Sequence, residues 1–191
     1  RLLGIDGEEK FKNKGVAFCT HCDGPLFKGK DVAVVGGGNS GIEAAIDLAS
    51  IAKTVTVLEF LPELKADKIL QKKLESLKNV KVITSAQTTK LLGDKKLRAL
   101  KYIDRNTKEE KTIDLAGVFI QIGQIPNTEW LEGKIKLTDR GEIEVEKDGS
   151  TNIEGIFAAG DATNSLYKQI IIAAGSGATA ALSAFNYLIR K

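Results

Sequence analysis

The chain has 191 residues, 42% hydrophobic and 28% charged: enough apolar material for one large core or two small ones, and too much for a disordered or collagen-like chain. Lysine and arginine total 28 against 25 aspartate and glutamate, a net charge of +3, and the signs alternate, as in Lys108-Glu109-Glu110-Lys111, instead of forming the basic stripe of a nucleic-acid binder. The longest apolar runs, Val32 to Val35 and Ile170 to Ala174, fall far short of the roughly 20 residues that cross a bilayer, so no membrane partner is expected.

Residues 1 to 14 are charged and glycine-punctuated and read as a lead-in or linker. The chain opens at Arg1 without a secretory apolar segment and contains no methionine, so it reads as a piece of a longer polypeptide. Next comes Cys19-Thr20-His21-Cys22. Structural zinc needs four ligands, and the chain holds only two cysteines and one histidine; no metal is expected. A structural disulfide, a pair of inert thiols and reversible redox chemistry remain, and the last suits a loop short enough to keep both sulfurs in bridging range. Asp23 follows directly, either as a proton donor and acceptor for a thiol or as an acidic cap before Gly24-Pro25. His21 either stabilises a thiolate or points to solvent. Two cysteines in one motif point to a reducing compartment, hence the cytoplasm.

From Asp31 the pattern becomes strand, turn, helix, strand. Asp31-Val-Ala-Val-Val-Gly36 is an apolar run of strand length, Ile42, Ala45, Ile46, Leu48 and Ala49 recur at helical spacing, and Val55-Thr-Val-Leu-Glu59 is a second strand. Between the first strand and the helix, Gly36-Gly37-Gly38-Asn39-Ser40-Gly41 fits G-x-G-x-x-G in the context a dinucleotide site requires. Gly36 permits the tight turn, Gly38 lets backbone approach a pyrophosphate, Gly41 allows close helix packing, and the helix start near Asn39 and Ser40 presents N–H groups to phosphate. Glu59, about 20 residues on, is placed to accept hydrogen bonds from the adenosine ribose, which favours NADH over NADPH.

Farther along, Asp67 is expected to cap a helix carrying Ile69, Leu70, Leu74 and Leu77, ended by Lys78-Asn79. Val80 to Ile83 is a short strand, Thr88 to Leu115 reads as an antiparallel meander broken at Gly93-Asp94 and Asn106-Thr107, and Val118 to Ile122 is a buried strand. Gly123 and Pro126-Asn127 mark a candidate boundary. Gly155 to Gly160 reads as a strand, and Gln169 to Arg190 as a long alanine-rich core helix in which Gly175 and Gly177 imply a close neighbour.

Cys19-Thr-His-Cys22-Asp23-Gly24, about 14 residues ahead of Gly36, followed by Ile122-Gly123 with Pro126-Asn127, Gly155-Ile-Phe-Ala-Ala-Gly160-Asp161 and Tyr167-Lys168-Gln169-Ile170, resembles the low-molecular-weight thioredoxin reductase family over nearly the whole chain. Within it, the run from Cys22 to Lys30, Leu58-Glu59-Phe60 without following arginines, and the ending Ser183 to Arg190 are most similar to the flavoproteins of bacterial alkyl hydroperoxide reductase systems.

The resemblance implies an α/β fold: a Rossmann-like nucleotide-binding domain, with a parallel sheet and an antiparallel meander, joined to part of a second, FAD-binding Rossmann-like domain. Residues 1–13 would be a lead-out from the FAD domain, 14–118 the NAD(H)-binding domain carrying the cysteines, and 119–191 the carboxy-terminal part of the FAD domain. It further implies that Gly123, Gly160 and Asp161 help hold FAD, the Asp161 carboxylate accepting from a ribityl hydroxyl, and that Lys168, Gln169 and Ile170 lie near the isoalloxazine. Cys22 would face the flavin and Cys19 would attack the external disulfide. Electrons would pass from NADH through FAD and Cys19–Cys22 to a thioredoxin-like amino-terminal domain of the same polypeptide, then to a peroxiredoxin. A homodimer is the default for a soluble enzyme. An NADPH-dependent thioredoxin reductase and a non-catalytic nucleotide-binding redox sensor are the rival readings. With no second glycine fingerprint for FAD, residues 1–191 alone are expected to retain flavin poorly.

Overall fold

Alternation along the first predicted strand decides the architecture. In the computed structural model, which describes residues 1–191, β2 (Asp31–Val35) buries Val32 and Val34 on one face and Ala33 and Val35 on the other, as a strand with no solvent-facing side must. It is the middle of a five-stranded parallel sheet in the order β1 (Val16–Ala17), β8 (Gly117–Ile120), β2, β3 (Thr54–Leu58), β4 (Val80–Ile83). On one face lie α3 (Asn39–Ala49) and α4 (Lys68–Glu75). Ile42, Ala45 and Leu48 of α3 have no exposed surface, and Ile42 and Leu48 each contribute roughly 1.5–3 kcal/mol by leaving water. Phe27, from the 3₁₀ turn Gly24–Phe27, meets Phe119 edge to face with ring centroids 5.2 Å apart.

The opposite face is covered by the antiparallel meander β5 (Ala86–Gly93), β6 (Leu97–Asp104) and β7 (Glu110–Asp114), through Leu91, Leu97, Leu100 and Tyr102. Asp104 closes the β6–β7 turn, accepting from the Asn106 and Thr107 amides and pairing with Lys111 at 2.9 Å. Its carboxyl is held below the usual aspartate value, chiefly by the Lys111 hydrogen bond.

The opening residues are not a linker. They form α1 (Glu8–Phe11), whose Phe11 is 1% exposed in the meander-side core. Buried Glu8 folds the lead-in back by accepting from the Leu3 and Gly4 amides. Such a segment looks like a linker in sequence because its apolar anchors, Phe11 with Leu3 and Ile5, are scattered among charges and glycines. The α4 helix stops at Glu75, so Leu77 lies beyond it and Ile69 is exposed. Asp67 sits at the amino-terminal cap position without capping.

The chain forms two compact units, Arg1–Gly123 and Gln124–Lys191. The division expected at 118/119 falls inside β8, which is hydrogen-bonded on both sides in the first unit. The second unit contains a 3₁₀ turn, Glu129–Leu131, and α5 (Ile170–Ile189). Gly155 to Gly160 is not a strand: Phe157 makes an isolated bridge with Ser150, and Gly155 and Gly160 take φ values of 81° and 80°. Strand-forming residues become a strand only beside a partner ladder, and that stretch has none.

The α5 helix covers the expected span, but among its residues only Ala180 is buried. Nothing lies within 4 Å of a side chain built at Gly175 or Gly177, so the close neighbour expected there is absent from the chain. By length and composition α5 meets the requirement for crossing a membrane, a property that the short contiguous apolar runs conceal. Within its unit it is held by Ser176, which accepts from the Gly160 amide at 3.1 Å, and by the edge-to-face pair Phe157–Tyr187.

Candidate redox and nucleotide site

Every strand of the parallel sheet ends on the same edge, so the segments leaving β1 and β2 emerge together there. From β1 the chain passes through Phe18 into α2 (Thr20–Asp23), and Cys19 and Cys22 form a disulfide with Cα atoms 5.3 Å apart, within the range a disulfide bridges without backbone strain. Cys19 is half-buried and Cys22 exposed. The Cys19 sulfur also accepts the Cys22 amide at 3.2 Å, one turn of helix closing the loop that the motif spacing requires. Asp23 is half-buried, and although it precedes the 3₁₀ turn its carboxylate makes no capping bond. His21 points outward to Asp47 of α3, Nε2 to Oδ2 3.5 Å, an ion pair when the imidazole carries its proton.

From β2 the chain enters the glycine-rich turn. Gly36 has φ 122° and packs on the Gln121 carbonyl, a Cβ at Gly41 would strike the Gly36 carbonyl, and the space beside Gly38 is open. No side chain caps α3, whose first turn faces that space. Asn39, the first residue of α3, bridges to the α4 cap: its Nδ2 donates to Asp67 Oδ2 at 2.9 Å, and its Oδ1 accepts the Asp67 amide at 2.8 Å. Ser40 is exposed. Glu59 is 8% exposed and braces the turn, one oxygen accepting from the Gly37 amide at 2.5 Å and the other from the Leu61 amide at 2.8 Å. A carboxylate has about four acceptor positions, so two bonds leave capacity for a ribose hydroxyl.

Beyond Glu59, Arg105 lies over the Phe60 ring at 3.8 Å and donates to the Phe60 carbonyl, fixing the loop after β3. A cavity of about 420 Å³ opens beside Gly36, Leu58, Glu59, Phe60, Thr88 and Ile122. The Thr88 hydroxyl there is buried without a hydrogen-bond partner. The donor set fits a nucleotide: open glycine backbone, an uncapped helix start, a braced carboxylate and an unsatisfied hydroxyl beside a largely apolar hollow. Gly123 is exposed, with φ 89° and a carbonyl that accepts from the Arg1 amino group.

In the second unit, Asp161 is exposed, Gln169 is the amino-terminal cap residue of α5, and Ile170 is 88% exposed. Lys168 pairs with Glu142 at 2.8 Å and donates to the Thr163 carbonyl. The Gly160 amide is likewise taken by Ser176. Sequence reading did not single out Asn39–Asp67, His21–Asp47 or Gln121, whose side chain donates to the Phe18 carbonyl at 2.8 Å. For Gln121 a signal existed in the one polar residue inside the otherwise apolar run Val118 to Ile122.

Residues 1–180 match the family described as Pyridine nucleotide-disulphide oxidoreductase. The chain is 64% identical along its whole length to a protein named NADH dehydrogenase of Ferdinandcohnia aciditolerans, and 61% identical to the F component of alkyl hydroperoxide reductase of Pseudomonas aeruginosa. It spans 37% of the length of each. Among solved structures, thioredoxin reductase from Streptococcus pyogenes superposes on all of the chain with TM-score 0.94 at 34% identity, the match covering 63% of that protein.

Proposed function

The chain belongs to the pyridine nucleotide-disulphide oxidoreductase family, and on that premise we propose that it is the nucleotide- and disulfide-bearing part of an NADH-dependent flavoprotein disulfide reductase. The observation that carries the reading is the placement of a disulfide and a dinucleotide turn on one sheet edge, on strands separated only by β8. The relatives named as components of alkyl hydroperoxide reductase favour a peroxide-detoxifying system in which the acceptor is a thioredoxin-like amino-terminal domain of the same polypeptide, followed by a peroxiredoxin. A cytoplasmic homodimer is part of the proposal.

Each residue then has a task. Gly36 makes the tight turn, Gly37 anchors it on Glu59, Gly38 leaves open backbone for the pyrophosphate and Gly41 lets α3 pack close, with Asn39 and Ser40 framing the helix start. Glu59 receives the ribose hydroxyls and disfavours a 2′-phosphate, and the Thr88 hollow receives the adenosine end. FAD, held in the intact protein with help from Gly123, Gly160, Asp161, Lys168, Gln169 and Ile170, would supply two-electron transfer between nicotinamide and disulfide. Reducing Cys19–Cys22 takes two electrons and two protons and yields two thiols. The Cys19 thiolate then attacks the acceptor disulfide, and Cys22 displaces it, releasing the acceptor as a dithiol and restoring the internal disulfide. Asp23 holds the proton that the thiols lose and regain.

The test is the full-length protein carrying Cys19→Ser and Cys22→Ser. NADH is expected to bleach its flavin absorbance in stopped flow as in the parent, while reduction of a disulfide acceptor falls to background. Acceptor reduction at the parent rate would overturn the reading.

A further inference from the structure

One residue touches both halves of the site. β8 lies between β1, which leads to Cys19, and β2, which leads to Gly36, and its register sets Ala17 beside Phe119 and Val35 beside Ile120. Gln121 is the next residue. Its amide donates to the Val35 carbonyl at 2.8 Å, its carbonyl is the surface on which Gly36 packs, and its side-chain Nε2 donates to the Phe18 carbonyl at 2.8 Å. The Phe18 carbonyl belongs to the peptide that enters Cys19. Apart from this bond, β1 offers only two residues of ladder, and ladder pairing ends at Ala17.

Resting on the disulfide-reductase reading, we propose that Gln121 is a positioning residue for the redox pair: its amide clamps the Phe18–Cys19 peptide to the edge that carries the dinucleotide turn. The clamp matters most when the disulfide is open. Once the two sulfurs are no longer bonded, α2 is one turn anchored by buried Thr20 and by the Asp23 amide on the Cys19 carbonyl, and its cap residue Cys19 is further located by the peptide that precedes it. Holding Phe18 keeps Cys19 within reach of an acceptor and of Cys22, lowering the entropy lost on closing the ring. A glutamine is suited to this because it reaches across one strand spacing and ends in a donor.

The experiment uses the full-length flavoprotein with Gln121→Met, which keeps length and removes the donor, and Gln121→Lys, which restores a donor. Two readouts are compared: flavin bleaching by NADH, which does not need the sulfurs, and turnover of the small disulfide dithiobis(nitrobenzoate), which does. Loss of one hydrogen bond is expected to slow disulfide turnover in Gln121→Met about three- to tenfold, with bleaching within about twofold of the parent and substantial recovery in Gln121→Lys. Parent-like disulfide turnover in Gln121→Met overturns the proposal. So does an equal fall in both readouts, which would mark a general structural role. A parent enzyme that turns over the disulfide with both cysteines replaced by serine refutes the underlying reading instead, so the two failures are distinguishable.

Discussion

Glu59 braces the turn, and the proposed function gives the same carboxylate a second task at the ribose. It is buried, yet it stays satisfied through the Gly37 and Leu61 amides, which makes it a brace for the turn before any nucleotide arrives. Replacing it with glutamine keeps the shape but puts an NH2 where one oxygen was, so either the Gly37 or the Leu61 amide loses its acceptor and the ribose faces fewer lone pairs. The expected outcome for Glu59→Gln in the full-length protein is a KM for NADH raised about tenfold with kcat little changed, and a narrower preference over NADPH. Steady-state kinetics with both coenzymes checks this. An unchanged KM would assign Glu59 to bracing alone. Asn39 makes the same point about residue-level reading: its helix-start position was legible from the glycine spacing, whereas its two bonds to Asp67 join segments 28 residues apart and leave no local trace.

At the scale of elements, the glycine turn shows how tightly local pattern and packing agree. Gly41 lies where α3 crosses the end of β2, and a methyl there would collide with the Gly36 carbonyl, a backbone group that cannot rotate aside. Gly41→Ala is therefore expected to destabilise the first unit by about 1–3 kcal/mol, as overpacking does. It should also weaken NADH binding, because relief requires the turn to open. Thermal denaturation and NADH titration of the same variant check both effects, and an unchanged Tm would contradict the packing argument. The β2–α3–β3 unit was legible because each piece carries its own periodicity and the connections are short. The meander was legible because its turns fall at Gly93-Asp94 and Asn106-Thr107. Gly155 to Gly160 misled because strand-like composition specifies an extended backbone, not a partner. The lead-in misled because its packing rests on scattered anchors, Phe11 with Leu3 and Ile5, and on buried Glu8 turned onto the Leu3 and Gly4 amides.

For the whole molecule, the two units differ in how completely they finish their own business. Arg1–Gly123 covers both faces of its sheet, and its nucleotide features converge on one edge. Gln124–Lys191 leaves Ile170, Ile171, Leu182, Phe185, Leu188 and Ile189 more than half exposed along α5, a display that isolated soluble units avoid. Of the groups in this unit proposed for the flavin, the Gly160 amide is bonded to Ser176 and the Lys168 ammonium to Glu142 and the Thr163 carbonyl, which leaves Asp161 as the one free charged contact. A single carboxylate on an exposed turn is too little to immobilise a large cofactor against the translational and rotational freedom it would lose. The 191-residue chain expressed alone is accordingly expected to purify with far less than one FAD per chain while still binding NADH through the first unit. The ratio of flavin absorbance to protein absorbance, set beside an NADH titration, measures both at once. A stoichiometric yellow protein would mean that the second unit grips FAD through groups the present geometry holds occupied, and Lys168→Gln would then be the first variant to lose the colour.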